Sequence, residues 1–176
     1  MLLIVDNGHG AKELAQLIRA PNKIVSPKAI EKAGAYILTD GDAKNQKVNE
    51  KLIKSTDKPV LAIGAACAFL AAAHGAAVKA VPKVERIERL SVKRPSPLTL
   101  DMRRMFTVVE SYQHILDSVP EECNVLASSA KYEYEIISFA DKPFFGVQFA
   151  PERGGDGRTI LANFERFVEM WEKYHK

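Results

Sequence analysis

Three short apolar runs, each handing over to a glycine-bearing turn, constrain this chain more than any other feature. Leu2 to Asp6 runs into Asn7 and Gly8, Ala35 to Leu38 into Thr39, Asp40 and Gly41, and Val60 to Ile63 into Gly64. Apolar runs without polar alternation suit strands buried on both faces. Around them the spacing becomes helical. Leu14, Leu17 and Ile18 recur at helical intervals, Pro27 opens a short helix containing Ile30, and Lys44 to Lys54 carries Val48, Leu52 and Ile53 on one face. The alanine-rich stretch Ala65 to His74 reads as a buried helix stopped by Gly75. Such alternation predicts a parallel sheet with helices on both faces.

The second half is patterned differently. Val84 to Val92, Thr107 to Glu110, Asn124 to Ala127, Glu133 to Phe139 and Phe144 to Phe149 read as consecutive strands. Arg94 to Pro97 is a loop, and a closing helix from about Arg158 to Tyr174 sets Ile160, Leu161, Phe164, Phe167, Val168 and Trp171 on one face. The expected fold is α/β, with a mainly parallel central sheet and an added antiparallel strand region. No repeat or linker divides residues 1–176, so one domain is expected.

Charge and composition narrow the classes of function. The formal charge is +3, with 47% hydrophobic and 27% charged residues, an ordinary balance for a water-soluble domain. No apolar run approaches the roughly 20 residues of a membrane span, and Met1 leads straight into a strand without an export signal. Lys79, Lys83, Arg86, Arg89, Lys93, Arg94, Arg103 and Arg104 are mixed with Glu85 and Glu88. They read as a solvated face, or as a docking surface for an acidic partner, rather than as a nucleic-acid stripe. Cys67 and Cys123 lack companions at metal-ligand spacing, which fits a reducing cytoplasm and no metal.

Ligands of open α/β sheets bind beyond the carboxyl ends of the strands. Three such ends stand out: Thr39–Asp42, Gly64–Cys67 and Gln148–Glu152. None shows a nucleophile next to a base. Cys67, amid alanines and Phe69, reads as a packed cysteine, although a helix N-terminus nearby would favour a thiolate. His9, in Asn7-Gly8-His9-Gly10, belongs to a tight turn or to an anion cradle, and short glycine motifs favour the plain turn.

Longer segments carry a resemblance. PVLAIGAACAFLAAAHGA resembles the P-V-L-G-I-C-x-G-x-Q-x-x-A segment of the class I glutamine amidotransferases, and FFGVQFAPE resembles their Y-G-V-Q-F-H-P-E. AYILTDGDA is similar to I-L-S-G-G-P, and GRTILANFERFV to the terminal G…I-x-x-N-F helix. VVESYQHILDSVPEECNVLASSA resembles the S-H-G-D…L-P-x-G-F-x-V-L-A-x-S region of the GMP synthase branch. The resemblance runs nearly end to end. It implies a flavodoxin-like three-layer fold, no cofactor, and a synthetase partner that consumes ammonia.

The departures are specific. The resemblance puts the nucleophile's position at Gly64, the catalytic histidine's at Ala150 and the triad carboxylate's at Glu152. Its substrate-holding positions fall on Gly41, Ala68 and Tyr112, with Asp40 at the first glycine of the oxyanion loop and His114 at the aspartate of S-H-G-D. Thiol and imidazole are both missing, so the expectation is a degenerate triad and a glutaminase-inactive protein with a regulatory or partner-binding role. The partner class is an ATP-dependent synthetase of GMP synthase type, or a second copy of the chain. Two alternatives stay open: an unorthodox Cys67/His114 site that still supplies ammonia, and a small-ligand sensor. Gly64 is expected to keep a strained strand-to-helix turn, and Gly64→Cys to be tolerated at modest cost.

Overall fold

A computed structural model describes residues 1–176. The elements run β1 Leu2–Val5, α1 Ala11–Leu17, β2 Asn22–Val25, β3 Ala35–Leu38, α2 Gln46–Ser55, β4 Val60–Ile63, α3 Ala65–Ala72, β5 Val78–Val92, β6 Met105–Leu116, β7 Cys123–Ser129, β8 Ile136–Phe139, β9 Phe144–Val147 and α4 Gly157–Tyr174. One nine-stranded sheet has the order β2-β1-β3-β4-β9-β8-β7-β5-β6. The half β2-β1-β3-β4-β9 is parallel, and β9-β8-β7-β5-β6 is antiparallel. The parallel half has the flavodoxin-like order, and its end strand β9 returns from the antiparallel excursion.

The apolar runs are unalternating because both faces of the parallel half are covered. β1, β3, β4 and β9 are buried at every position. On one face Leu2, Ile4, Ile37 and Leu61 pack with Leu14 of α1 and Ile160 and Phe164 of α4. On the other, Leu3, Leu38, Val60 and Ala62 pack with Ile53 of α2 and Ala66, Phe69 and Leu70 of α3. No helix is long and apolar enough to cross a membrane.

Several boundaries differ from the sequence reading. β2 has no counterpart there: Asn22-Lys23-Ile24-Val25 is an edge strand, half exposed, and lacks the continuous apolar signature of its neighbours. Pro27 opens only a 3-10 turn, Pro27–Ala29, capped by the Ser26 side chain, and Ile30 is already extended. The β5–β6 hairpin is longer than Val84–Val92 and Thr107–Glu110, pairing from Val78 with Leu116 to Ser91 with Met105 across an irregularity between Ala80 and Val84. Pro82 sits in that irregularity, where a missing N–H is tolerated. β8 begins at Ile136 rather than Glu133, because Tyr132 and Glu133 turn back through their carbonyls to Ser129 and Ser128.

The end strand β6 does not leave a bare edge. The Asp156 N–H donates to Thr107 O at 2.7 Å and the Thr107 N–H to Asp156 Oδ2 at 2.8 Å. The Ala150 N–H donates to Val109 O at 2.8 Å, and Gln148 Nε2 to His114 O at 2.7 Å. The antiparallel half therefore curls, and β6 closes against the segment that follows β9. That closure carries residues 148–156 to the ends of the parallel strands.

Candidate functional site

The site is built around the turn from β4 into α3. Gly64 has φ 59° and ψ −120°, a region almost reserved for glycine. The expected strained elbow is present. The Gly64 N–H donates to Val147 O at 2.9 Å, tying the elbow to β9. The first amide of α3, Ala65 N–H, donates to Asp40 Oδ1 at 2.8 Å. A Cβ placed on Gly64 would meet Asp40 Cγ and Oδ1 at 2.6 Å and Asp40 Cβ at 2.8 Å. Real Cβ atoms do not come so close, so the Asp40 carboxyl group fills the space into which a side chain at position 64 would point. The expected modest cost of Gly64→Cys would therefore include moving the Asp40 side chain.

Asp40 is held at this post from its own backbone. Its carbonyl accepts from the His9 N–H and from Thr39 Oγ1, each at 3.1 Å. Behind it, the Asn7 N–H donates to Thr39 Oγ1 at 2.8 Å, and the Asn7 and Asn49 side chains exchange amide hydrogen bonds of 3.0 and 2.8 Å. Gly41 pairs with Gly8 and lies on the Asn7 carbonyl so tightly that a Cβ there would overlap it. The loops after β1 and β3 thus form one braced unit.

A cleft of about 440 Å³ opens in front of this unit, with Asp40, Ala150, Glu152, His9, Ser111 and Arg153 among its walls. Gly64 is buried and is not part of the lining; Asp40 lies between it and the cleft. The Glu152 side chain lies over Gly10, and its Oε2 is buried without a hydrogen-bond partner. Burial pushes the Glu152 carboxyl up to about 7, helped by the Asp40 and Glu13 charges and opposed by its own backbone hydrogen bond and Arg153. Among the lining residues the only imidazole is that of His9, an exposed residue of the turn after β1.

The remaining sequence candidates lie elsewhere. Cys67 is fully buried. Burial, reinforced by Cys123 and Glu135, holds its thiol far above the ordinary range. A Cβ on Gly146 would strike the Cys67 Sγ at 2.6 Å, which places the thiol against β9 in the core. His114 sits in β6 opposite Ala80, outside the cleft lining. Cys67, one member of the Cys67/His114 alternative, is thus a packed core thiol, and His114 stands apart from the cleft. Ala68 is fully buried and Tyr112 nearly so, its hydroxyl accepting from Arg86 Nη2 at 3.2 Å. With Gly41 pressed on Asn7, none of the three substrate-holding positions borders the cleft.

One polar group escaped the sequence reading. Glu110, Glu135 and Gln148 are all fully buried where β6 closes against the chain beyond β9. Arg86 Nε lies 2.8 Å from Glu110 Oε2 and 3.1 Å from Glu88 Oε2. Arg86 accordingly leaves the basic surface suggested by its neighbours. Burial and the adjoining Glu110 carboxyl group push Glu135 well above the ordinary carboxylate range, against the pull of Ser129 and Arg86. A signal existed: Phe106, Val108, Glu110 and Tyr112 follow one strand phase, so an acid stands on the inward face.

Known proteins agree with this architecture. The family described as glutamine amidotransferase class-I matches residues 5–167. A subunit of the glutamine-hydrolysing GMP synthase of Methanocaldococcus jannaschii is 27% identical over 179 residues, covering 93% of this chain and 95% of that protein. The corresponding protein of Methanobrevibacter smithii is 26% identical over 190 residues, covering 98% and 96%. A crystal structure of a Thermoplasma acidophilum protein, provisionally described as a GMP synthase subunit, superposes with a TM-score of 0.90 at 22% identity over 98% of this chain and 96% of that one. A glutamine amidotransferase from Thermotoga maritima gives 0.72 at 17% identity, covering 98% and 82%. The family match over most of the chain identifies it: the chain belongs to the class I glutamine amidotransferases.

Proposed function

We propose that this chain is a single-domain, cytoplasmic amidotransferase-like protein that does not hydrolyse glutamine and acts through a partner, an ATP-dependent synthetase of GMP synthase type. The observation that carries the reading is the Asp40 carboxyl group seated where a nucleophile would project from Gly64. Glutamine hydrolysis by this family's route needs a thiolate to form a thioester and an imidazole to move protons. Gly64 and Ala150 supply neither, and the one cysteine close in sequence, Cys67, is packed in the core. Loss of a triad nucleophile alone costs on the order of 10⁶ in rate. A role beside a synthetase follows from the likeness to the GMP synthase proteins named above.

The test combines binding with activity. The purified chain is mixed with the GMP-synthase-type synthetase of the same organism, and association is followed by sedimentation. Synthetase turnover is then measured with ammonium and with glutamine as nitrogen source. The expected outcome is a complex that uses ammonium and fails with glutamine. Glutamine-dependent turnover would reject the inactive assignment, and the absence of association would reject the partner.

A second reading is favoured by Glu152. A buried carboxyl oxygen without a partner, on the wall of an open polar cleft and titrating near neutrality, suits a small cationic ligand. Calorimetric titration with ammonium and small amines separates this sensor role from a purely structural one.

A further inference from the structure

We infer that Asp40 is an internal lock on the elbow: its carboxylate is the resident occupant of the amide that would otherwise serve as oxyanion donor. The inference rests on the proposal that Gly64 stands at a former nucleophile position, and it goes further by naming the residue that closes the site. In nucleophile-elbow enzymes the N–H of the residue after the nucleophile holds the oxyanion of the tetrahedral intermediate. Here that residue is Ala65, and its N–H already donates to Asp40 Oδ1 at 2.8 Å, the distance such a donor would keep to an oxyanion. Asp40 therefore places a carboxylate oxygen on the donor that would hold the intermediate's oxyanion, without any substrate.

The lock closes the site in two further ways. It occupies volume, since any β-carbon at position 64 would meet three Asp40 atoms at 2.6 to 2.8 Å. It also places a negative charge beside the position of a nucleophile, which disfavours a thiolate. The carboxyl group is held by the Ala65 amide, and the backbone behind it by His9, Thr39 and the Asn7–Asn49 pair. Restoring only the missing thiol and imidazole would leave the Asp40 carboxylate in the site, competing with the new side chain for the same space. The inactive state is thus enforced by a residue that is present as well as by two that are absent.

The experiment reads the lock without reference to glutamine turnover. Gly64→Cys is made alone, with Asp40→Asn and with Asp40→Gly, each in a Cys67→Ala, Cys123→Ser background so that one thiol remains. Alkylation by iodoacetamide is followed as a function of pH. With Asp40 present the thiol is expected to react slowly at neutral pH and to titrate above the ordinary cysteine range. Asp40→Gly is expected to lower the apparent thiol pKa by at least one unit and to raise the neutral-pH rate about tenfold. Asp40→Asn keeps the bulk and removes the charge, so it should recover the pKa and only part of the rate. Equal rates and equal pKa values with and without Asp40 would overturn the lock.

If the Gly64→Cys proteins do not fold, the otherwise native chain supplies the same answer. Asp40→Gly should shift the Ala65 amide resonance and reduce its hydrogen-exchange protection about tenfold relative to the amides of β4. An unchanged Ala65 amide would overturn the inference. Neither readout depends on whether the wild-type chain hydrolyses glutamine, so failure of the lock and failure of the proposed function are separate results.

Discussion

Arg86 Nε lies 2.8 Å from Glu110 Oε2, and Glu110 is completely buried. The pair joins adjacent strands β5 and β6 beneath the seam that carries Ala150 and Glu152 to the elbow. Such a pair contributes little relative to well-packed apolar residues, but its disruption leaves a buried charge. Arg86→Met should therefore destabilise the protein by about 3–5 kcal/mol, measured by urea denaturation at neutral pH. Adding Glu110→Leu should recover much of that loss. A double variant no more stable than Arg86→Met would contradict the coupling.

Glu135 makes stability depend on pH with a definite sign. Burial and the adjoining Glu110 raise its carboxyl well above the ordinary 4.5 when folded, so above that value the native state binds a proton that the unfolded state does not. The contribution is fully present below about 4.5 and is lost progressively as pH rises above it. Its slope is at most about 1.4 kcal/mol per pH unit. Glu135→Gln imitates the protonated group beside Glu110 and Ser129. Its Tm relative to wild type should climb steadily from pH 5 to pH 9, and parallel Tm profiles would refute the assignment.

Glu152 and Asp40 share the cleft wall, and the Asp40 charge is one cause of the raised Glu152 carboxyl. Carbon-13 NMR of the Glu152 carboxyl should give an apparent pKa near 7. Asp40→Asn should lower it, while burial keeps it above the ordinary 4.5. An unchanged value in Asp40→Asn would show that the two groups do not interact.

Gly64 and Asp40 should be coupled in stability as well as in space. Gly64→Cys adds a side chain at φ 59°, a strain of about 1–3 kcal/mol, and sets it against the Asp40 carboxyl group. Asp40→Gly should remove the steric part, so the double variant should be more stable than the sum of the single effects implies. Strict additivity in thermal denaturation would count against a shared space.

The parallel half of the fold was legible because its strands are buried on both faces and leave unbroken apolar runs before each turn. Gly64 was placed by its resemblance to the family's elbow, and its φ of 59° fits that turn. β2 was not legible, because half of that edge strand faces solvent and its Asn and Lys erase the pattern. The substrate-holding positions Ala68 and Tyr112 were placed by resemblance, which aligns residues but does not say which way they face. Asp40 was visible only as a departure from a glycine. That its carboxyl group reaches the Ala65 amide depends on how the loops after β1 and β3 brace each other, a long-range contact that no local pattern encodes. The phase of β6 marked Glu110 as inward-facing, but that Glu135 and Gln148 join it from two other segments is not written in any local pattern.

We propose that this amidotransferase-family chain does not hydrolyse glutamine. The most direct test is ammonia release from glutamine by the wild-type chain, alone and with its synthetase, beside Cys67→Ala, Gly64→Cys, Ala150→His and the Gly64→Cys/Ala150→His pair. Background release is expected from the wild type and from all single variants. The pair should release little until Asp40→Gly is added, since one oxyanion donor is worth about 10²–10³ in rate. Clear wild-type turnover that disappears in Cys67→Ala would contradict the proposal.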